Sequence, residues 1–409
     1  MTKRVVITSI AGLSPLGHEW ETIAAAMRAG RNGTRVIEEW GEYEGLNTQL
    51  GSPIVDFSLP PHYTRKQTRS MGRVAQLAVV ATENALGAAG LLGSKLITGG
   101  DTGIAFGSSS GSPPALGDFG ALLLEKSARN IKSTSYIKMM SHTAAVNVGM
   151  FFGIRGRVIT TSTACTSGSQ AIGYAYEAIR SGRQKIMIAG GAEELSVTQA
   201  AVFDTLYATS VRNDDPGSTP RPFDRDRDGL VVGEGVASFV LEDLEFAEAR
   251  GASIIAEVVG FGTNCDARHV TQPTADTMES AMRLALADGE LDAGAIGYVS
   301  GHGTATELGD IAESQATHAV FGPSMPISSM KSFLGHTMGA CGAHEAWLAI
   351  EMMKHDWFAP TLNLENVDSR CAELDYIVGE PRELSVDHVM NNNFAFGGIN
   401  TSLIFRRWS

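Results

Sequence analysis

Short apolar runs rich in β-branched residues alternate along the chain with turns of glycine, serine and threonine and with alanine-rich helical stretches. Residues 158–161 are one such apolar run, and a turn connects them to a helical stretch that ends near residue 180. Residues 296–300 are another, and the helical stretch that follows covers residues 310–320. Strands that alternate with helices in this way indicate α/β layers with mainly parallel sheets.

Four residues with reactive or ionisable side chains follow apolar runs of this kind. They are Cys165, His302, Lys331 and His336, and they come from separate segments of the chain. In α/β sheets, ligands bind at the carboxyl ends of the strands. The shared position of the four residues therefore predicts that they meet in one site.

Composition and charge restrict the class of protein. The 409 residues are 43% hydrophobic and 19% charged, which indicates a globular chain of two or three units or one large fused body. Lys and Arg number 32 against 45 Asp and Glu, and the resulting net charge of −13 argues against general nucleic-acid binding. We find neither an apolar run of about 18 residues nor a signal peptide. We expect a cytoplasmic protein that does not enter a membrane.

The spacing of cysteines and histidines predicts neither disulfide bonds nor a metal site. The four cysteines, Cys165, Cys265, Cys341 and Cys371, form no CxxC pair. The histidines form no HExxH motif and no other close spacing of metal ligands. We therefore expect no catalytic metal.

Cys165 lies just after a predicted strand and at the start of a predicted helix. The helix dipole and the free N–H groups of a helix start lower the pKa of a thiol, although a buried structural cysteine is an equally good interpretation. His302 lies between two glycines, and His336 follows Lys331 by five residues. Two histidines at strand ends together with a cysteine favour nucleophilic catalysis.

Two further segments have both a structural and a functional interpretation. Residues 391–400 combine glycines with Phe394 and Phe396, and they form either a tight turn or a loop whose backbone N–H stabilises an oxyanion. Residues 221–229 form a dense run of alternating charges. Because an apolar strand follows, we interpret this run as a turn locked by ion pairs.

A basic cluster stands out in this acidic chain. It consists of Arg65, Lys66, Arg69 and Arg73, and the spacing of its arginines places them near one helical face. Such a patch attracts an acidic partner. A solvated helix face is equally consistent with the same pattern.

Several of these segments together resemble the elongating β-ketoacyl-acyl carrier protein synthases. The matching motifs are residues 164–168, residues 301–304, Lys331 with residues 335–337, and residues 394–398. The resemblance covers essentially the whole chain and implies the thiolase fold, an α/β architecture of two similar halves in a layered α-β-α-β-α body. Residues 1–250 would then carry the nucleophilic cysteine, residues 251–409 would carry the two histidines, and the protein would be a dimer.

The resemblance also implies a role for each matching residue. Cys165 would hold the acyl chain, and His302 and His336 would donate N–H groups to the thioester oxygen of the second substrate. Lys331, paired with Glu313, would orient the histidines, and the N–H groups of Cys165 and Phe396 would form an oxyanion hole. The remaining implied roles are Asp310, Glu313 and Phe394 as supporting residues, Thr304 and Thr306 for pantetheine, Ser110 and His142 for the pocket, and Arg65, Lys66, Arg69 and Arg212 for docking.

The implied reaction is a decarboxylative Claisen condensation with malonyl-acyl carrier protein, which lengthens the acyl chain by two carbons. It needs no metal and no redox cofactor, because the substrates are carried on the phosphopantetheine of acyl carrier protein. The implied partners are acyl carrier protein and a second copy of the chain, or a subunit similar to a chain-length factor in a heterodimer. Residues 140–165 with Glu307 are more similar to synthases of aryl-polyene or other specialised polyketide clusters, and the pathway stays open.

Four alternatives have distinct sequence signatures. A thiolase uses a second, C-terminal cysteine as base, and Cys341 and Cys371 lie outside the loop that contains Phe396. A chain-initiating synthase pairs cysteine with histidine and asparagine, whereas this chain has His336. A non-catalytic chain-length factor lacks the active cysteine. An acyl-thioester hydrolase is the remaining alternative, and it would release a free acid instead of forming a carbon–carbon bond.

Overall fold

The structure is a computed structural model that describes residues 2–409. Its helices account for the alanine-rich stretches of the sequence, and short 3-10 turns connect several of them to strands. The helices are α1 Trp20–Arg28, α2 Arg65–Thr68, α3 Arg73–Ala88, α4 Lys95–Thr98, α5 Pro114–Glu125, α6 Ser133–Met139, α7 Thr143–Phe152, α8 Ser167–Arg180, α9 Val197–Asp204, α10 Leu244–Ala249, α11 Ala275–Asp288, α12 Glu307–Phe321, α13 Lys331–Leu334 and α14 Cys341–Lys354.

The apolar, β-branched runs form strands, most of which are fully buried. Strands that are covered on both faces are apolar along their whole length, as residues 186–189 are. The strands are β1 Val5–Leu13, β2 Arg35–Val36, β3 Leu50–Ser52, β4 Thr102–Gly107, β5 Val158–Thr161, β6 Ile186–Glu193, β7 Val232–Gly233, β8 Gly235–Asp243, β9 Ala256–Cys265, β10 Tyr298–Ser300, β11 Pro326–Ser328, β12 Trp357–Phe358, β13 Asp375–Tyr376, β14 Arg382–Glu383, β15 His388–Phe394 and β16 Ile399–Arg407.

Most of these strands belong to one mixed sheet. Within residues 2–409 its eleven strands are ordered β13-β11-β10-β15-β16-β9-β1-β8-β6-β4-β5. Both ends of the sheet are parallel, as predicted, but every pair from β15 to β6 is antiparallel. The prediction of mainly parallel pairing is therefore wrong for the centre. A short turn joins β15 to β16, and only antiparallel neighbours can be connected in this way.

The same strand order occurs twice in this sheet. The order β5-β4-β6-β8-β1 in the first part of the chain corresponds to β11-β10-β15-β16-β9 in the second, and β13 adds an edge strand. Strands β1 and β9 pair over Val5–Ile7 and join the two parts. The repeat confirms two similar halves. The boundary near residue 250 lies between α10 and β9 and stays a prediction.

Two helices pack together between the two halves of the molecule, and other helices cover each half of the sheet from the outside. Helices α8 and α14 pack against each other in the middle, with α8 on β4 and β6 and α14 on β15. Helix α3 covers the first half with α7, and α11 covers the second half with α12. These contacts produce the predicted α-β-α-β-α layers. Of the residues described, no helix is long and apolar enough to cross a membrane.

The charge run at residues 221–229 is a turn fixed by ion pairs, as predicted. Arg221 binds Asp224 at 3.1 Å. Arg227 is buried, and it binds Asp368 at 2.7 Å and Asp310 at 3.4 Å. These bonds fasten the turn to the segment after β10, which carries one of the predicted site residues.

Candidate active site

Cys165 lies in a tight turn between β5 and α8. The turn is a 3-10 helix over Ala164–Thr166, and Ala164 has a left-handed backbone with φ of 51°. The Ser167 hydroxyl stabilises this conformation, because it donates to Ala164 O at 2.7 Å and accepts from Thr163 N at 2.9 Å. The turn presents the cysteine at the start of α8, where the sequence predicted it.

The thiol of Cys165 is not acidic in this setting. Burial raises the pKa of the Cys165 thiol to about 11, against the opposing effects of the Lys331 charge and the backbone N–H groups of Phe396 and Cys165. The backbone N–H of Cys165 at the helix start lowers this pKa, as predicted, but loss of water disfavours the thiolate more than the surrounding groups favour it. The same donors lie around the sulfur and favour its ionised form.

His302 and His336 reach the cysteine from two other segments. His336 Nε2 lies 3.1 Å from Cys165 Sγ, and the two imidazole rings are 5.3 Å apart and nearly perpendicular. Both side chains are buried. Burial and the nearby Lys331 charge hold the pKa of both imidazoles well below the usual value. Both histidines are therefore neutral.

Hydrogen bonds to the Nδ1 atoms fix the tautomer of each histidine. Lys331 Nζ lies 3.0 Å from His302 Nδ1, and Met338 N donates to His336 Nδ1 at 3.1 Å. Because each Nδ1 accepts a hydrogen bond, each Nε2 carries the ring proton. Two neutral N–H donors therefore point into the space beside Cys165.

The partner of Lys331 is Glu345, so the predicted pair with Glu313 is wrong. Lys331 Nζ and Glu345 Oε1 form a buried ion pair, and Asn393 Nδ2 donates to Glu345 Oε2 at 2.6 Å. Burial lowers the pKa of Lys331, but the charge of Glu345 and neighbouring groups outweighs it and raises the pKa above its usual value. Glu313 instead accepts the backbone N–H groups of His302 and Gly303 and so shapes the histidine loop.

Sequence reasoning missed Glu345 and Asn393, although a signal for Glu345 exists. Glu345 lies in α14, whose residues 341–353 are all buried and mostly apolar. A carboxylate in such a helix requires a cationic or hydrogen-bonding partner. Lys331, in the segment just before α14, is the candidate partner for Glu345.

Asp310 and the two predicted threonines lie on the same side of the site. Asp310 accepts from Phe223 N at 2.7 Å and from Thr304 N at 3.0 Å. The Thr304 and Thr306 hydroxyls lie 2.8 Å apart. Asp310 thus positions the loop on which both threonines are displayed.

The end of β15 and the loop that follows it form one wall of the site. Phe394 packs against the His302 ring with 6.1 Å between ring centres, and Phe396 packs against Phe203 at 5.0 Å. Gly397 and Gly398 have φ of 87° and 76°, which glycine adopts without strain. This turn brings the Phe396 N–H to the sulfur of Cys165.

A cavity of about 440 Å³ leads from the surface to Cys165. Both histidines, both threonines and the Phe396 loop line it. Exposed apolar side chains surround its mouth, including Tyr207, Val270 and Leu308. The cavity is therefore a channel through which a long, narrow substrate arm can reach the sulfur.

The two predicted pocket residues do not line this cavity. Ser110 Oγ instead donates to Glu193 Oε1 at 3.3 Å. His142 is partly buried and precedes the first residue of α7. The structure of one chain therefore brings neither side chain to Cys165.

The basic cluster does not form one helical face. Helix α2 ends at Thr68, and α3 begins at Arg73. Arg73 is bound to Glu234 at 2.5 Å, and its side chain is 38% exposed. The prediction that it shares a face with Arg65 and Arg69 is wrong, because Gly72 interrupts the helical run.

The other four predicted docking residues differ in how far their side chains are exposed to solvent. Arg65, Lys66 and Arg69 are exposed. Arg212 is partly buried and is held by Asp228 at 3.3 Å and by the backbone oxygen of Asp226 at 2.7 Å. Arg212 thus belongs to the charged turn beside the cavity mouth, and the first three residues form the free part of the cluster.

Cys341 also lies close to the nucleophile, although it does not contact its sulfur. Its Sγ donates to the backbone oxygen of Cys165 at 3.1 Å, and burial raises the pKa of Cys341 well above its usual value. His336, rather than a second cysteine, is in contact with the Cys165 sulfur. This geometry favours two histidines as the polar groups of the reaction.

Comparison with known proteins finds similarity over almost the whole chain. Family models described as "Beta-ketoacyl synthase, N-terminal domain" and "Beta-ketoacyl synthase, C-terminal domain" match residues 2–247 and 255–365. A 3-oxoacyl-[acyl-carrier-protein] synthase 2 of Synechocystis is 35% identical over 412 aligned residues, which cover 99% of this chain and 98% of the relative.

Two solved structures superimpose over the full length of both chains. A β-ketoacyl synthase from Burkholderia phymatum STM815 has 59% identity and a TM-score of 0.98. A ketosynthase of a type II polyketide system, solved in complex with its acyl-carrier protein and bound to a hexaketide, has 29% identity and a TM-score of 0.89. The whole chain is therefore similar to these proteins, not only its motifs.

Proposed function

The chain belongs to the β-ketoacyl synthase family, and on that basis we propose that it is an elongating 3-oxoacyl-[acyl-carrier-protein] synthase. It transfers an acyl group to Cys165 and condenses it with malonyl-acyl carrier protein, in fatty acid or polyketide synthesis. The observation that carries this proposal is the meeting of the Cys165 sulfur with two neutral histidine N–H donors. The Cys-His-His set suits condensation because one group forms the thioester and two stabilise an enolate.

The first half-reaction moves the acyl group from the carrier protein to Cys165. The sulfur attacks the thioester carbon, and the N–H groups of Cys165 and Phe396 stabilise the negative oxygen of the tetrahedral intermediate. The bond to the pantetheine sulfur then breaks, and the departing thiolate takes the proton that the Cys165 thiol gives up. A thioester is exchanged for a thioester, so no external energy source is needed.

The second half-reaction begins when malonyl-acyl carrier protein enters the same channel. His302 Nε2–H and His336 Nε2–H donate to its thioester oxygen. The bond to the carboxylate breaks, CO2 leaves, and the electron pair forms an enolate whose charge the two donors stabilise. The enolate carbon attacks the acyl carbon on Cys165, and the carbon–sulfur bond breaks to return the thiolate. The product is two carbons longer.

Lys331 acts on this step through His302. Its ammonium group donates to His302 Nδ1, so it holds the proton of His302 on Nε2, where the substrate oxygen arrives. Glu345 keeps Lys331 charged and in place. Lys331 is therefore a positioning residue, and it does not remove a proton from the substrate.

The reaction as proposed needs no metal and no redox cofactor. Ligand atoms of Cys165, His302 and His336 lie within 4.8 Å of one another, which is close enough for a metal site. However, each Nδ1 faces a hydrogen-bond donor, so the ring proton occupies the Nε2 atom that a metal would need. The donor set thus fits an oxyanion better than it fits a cation.

The channel and its mouth support delivery of substrates by an acyl carrier protein. A ketosynthase of similar structure has been solved in complex with such a carrier. In the proposed binding mode, Thr304 and Thr306 bind the pantetheine arm inside the channel. Arg65, Lys66 and Arg69 attract the acidic carrier outside it, together with Arg212.

We further propose a homodimer, with a heterodimer that contains a chain-length-factor-like subunit as the alternative. Strand β5 lies at the edge of the large sheet, next to the nucleophile turn, and its residue Val158 is exposed. Exposed sheet edges with apolar residues pair readily with another chain. The cytoplasmic location stays a prediction.

Intact-protein mass spectrometry tests the function directly. The protein is mixed with an acyl-carrier protein and then with malonyl-carrier protein. We expect acyl mass on Cys165, followed by a carrier-bound product two carbons longer. The Cys165→Ala variant should acquire no acyl mass, while Cys265→Ala, which changes an exposed cysteine, should behave as the parent. Release of free acid without a longer product would indicate a hydrolase and overturn the proposal.

A further inference from the structure

Cys341 is the first residue of α14, and its side chain lies between the nucleophile turn and the polar groups around Lys331. We propose that Cys341 is a positioning residue, whose thiol holds the backbone of Cys165 from the same helix turn that carries Glu345. The inference rests on the proposed condensing function and adds a residue to that site. It gives Cys341 no contact with the substrate.

The thiol of Cys341 is a hydrogen-bond donor to the nucleophile residue. Its Sγ lies 3.1 Å from the backbone oxygen of Cys165. The Cys341 side chain is only 1% exposed, so water does not compete for this bond. Because burial raises the pKa of Cys341 well above its usual value, the thiol keeps the proton that it donates.

The same thiol also touches the groups that hold the histidine site. Asn393 Nδ2 lies 3.7 Å from Cys341 Sγ, 2.6 Å from Glu345 Oε2 and 3.4 Å from His302 Nδ1. Cys341 and Glu345 are four residues apart, so their side chains lie on one face of α14. One turn of this helix therefore serves both the nucleophile and the histidine that stands beside it.

The bond matters because Cys165 uses its backbone as well as its sulfur. Its N–H is one of the two proposed oxyanion donors, so any rotation of the turn would move the sulfur and the donor together. Ser167 fixes the peptide groups before Cys165, through its bonds to Thr163 and Ala164. Cys341 fixes the peptide group after it.

Glycines bring the two helix starts close enough for a short side chain to bridge them. A Cβ on Gly168, near the start of α8, would lie 2.8 Å from Ala343 N on α14. A Cβ on Gly342 would lie 2.7 Å from Ser169 N. Because the backbones of α8 and α14 are in contact at this point, the Cys341 thiol reaches Cys165 from a rigid support.

The bond also favours the negative charge that develops on the sulfur. The backbone oxygen of Cys165 is the negative end of a peptide dipole that belongs to the same residue as the sulfur. A donor on that oxygen reduces the repulsion between the dipole and a thiolate. Loss of the donor should therefore raise the pKa of the Cys165 thiol.

The test compares Cys341→Ala, which removes the donor, with Cys341→Ser, which keeps one. Both are made together with Cys265→Ala, so that the exposed cysteine does not react with the probe. The probe is iodoacetamide, and its rate of reaction with Cys165 is followed by intact mass across a range of pH. Transfer from acyl-carrier protein to Cys165 and CO2 release from malonyl-carrier protein are measured on the same variants.

We expect Cys341→Ala to lower kcat for acyl transfer by about threefold to tenfold, the effect of one neutral hydrogen bond, with KM unchanged. Its alkylation profile should move to higher pH. CO2 release should fall less, because Glu345 and Asn393 still hold Lys331 and His302. Cys341→Ser should recover most of the rate and the alkylation profile of the parent.

Cys371→Ala is the matched control for loss of a sulfur atom. Cys371 is also a buried free cysteine, but it does not line the channel. Its removal should leave acyl transfer and the alkylation profile of Cys165 as in the parent. Thermal unfolding of all variants shows whether each one is folded under the assay conditions.

Three outcomes would overturn the inference. Parent-like acyl transfer and alkylation in Cys341→Ala would show that the thiol does not position Cys165. A folded Cys341→Ser that is as slow as Cys341→Ala would show that the side chain acts by its shape. The same loss in Cys371→Ala would show a general effect of packing. If the parent itself acquires no acyl mass, the proposed function fails, while the alkylation profiles still decide this inference.

Discussion

Hydrogen bonds to the Nδ1 atoms of His302 and His336 determine which ring nitrogen of each histidine carries the proton. His302 accepts from Lys331, and His336 accepts from the backbone of Met338. Because burial keeps both rings neutral, their Nε2–H groups act as donors and not as charged acids. In the proposed mechanism the two histidines therefore stabilise an enolate without protonating it easily.

Removal of either histidine should slow decarboxylation much more than acylation of Cys165. We expect His302→Ala and His336→Ala to slow decarboxylation of malonyl-carrier protein by about 10² to 10³, the usual effect of deleting one oxyanion donor. Acylation of Cys165 should fall much less. CO2 release and acyl mass measure the two steps. His318→Ala, at a partly buried histidine of α12 that does not line the cavity, is the control. An equal loss in both steps with the fold intact would contradict this division of roles.

Glu345 should be essential for both stability and catalysis. In Glu345→Gln the Lys331 ammonium stays buried without a counter-charge, and we expect the free energy of unfolding to fall by about 3–5 kcal/mol. Decarboxylation should fall as well, because Lys331 no longer holds His302. Urea unfolding and CO2 release measure the two effects.

A double variant is the matched control for this pair. Lys331→Met with Glu345→Gln removes both charges, so it should be more stable than Glu345→Gln alone. It should still decarboxylate poorly, because His302 Nδ1 has lost its donor. A double variant less stable than the single one would show that Lys331 is not the group that Glu345 compensates.

Strand β6 and helix α9 form one structural unit beside the site. The strand ends at Glu193, whose carboxylate binds the backbone of Ser109 and Gly339 and the amide of Gln199 on α9. One side chain therefore connects four segments of the chain. Burial raises the pKa of Glu193 to about 7, although these hydrogen bonds favour the ionised form.

This raised pKa predicts that stability falls as the pH rises. In the unfolded chain Glu193 ionises near its ordinary pKa of 4.5, and in the folded chain near 7. The contribution of Glu193 to stability is complete below the unfolded-chain pKa of 4.5. It is lost as the pH rises through the folded-chain pKa of about 7. The loss is on the order of 3 kcal/mol.

Glu193→Gln should remove this dependence. The variant loses an acceptor and is less stable overall, but its free energy of unfolding should change less between about pH 5 and about pH 8 than that of the parent. Urea unfolding at several pH values measures the two slopes. Identical slopes would mean that Glu193 does not titrate in this range.

The active site exists because the two similar halves of the molecule meet. Cys165 comes from the half that contains β5 and α8, while His302, His336 and Phe396 come from the half that contains β10 and β15. The buried helices α8 and α14 lie together between them. Neither half alone contains both the nucleophile and the donors.

The surface around the site should determine how the carrier protein binds. We expect the triple change of Arg65, Lys66 and Arg69 to Glu to weaken binding of acyl-carrier protein by about tenfold at low salt, and less at high salt. Titration at two salt concentrations measures this. Lys95→Glu, at an exposed lysine on α4, controls for a charge reversal elsewhere on the surface. Unchanged affinity in the triple variant would leave these residues as a solvated surface.

Much of the site follows from local sequence. The positions of Cys165, His302 and His336 after strands are short-range properties, because a strand, a glycine-rich turn and a helix are encoded within about 20 neighbouring residues. The same holds for the α/β layers and for the glycine-rich turn around Phe396. The alternation of elements and the motif residues were therefore sufficient to predict which segments meet.

Other properties depend on contacts between residues far apart in the chain, and the folded molecule was needed to define them. The antiparallel centre of the sheet and the ion pair between Arg73 and Glu234 are of this kind. The high pKa of the Cys165 thiol is another. A helix start favours the thiolate locally, but the loss of water around the sulfur is produced by every segment that packs on it, and no stretch of sequence contains that information.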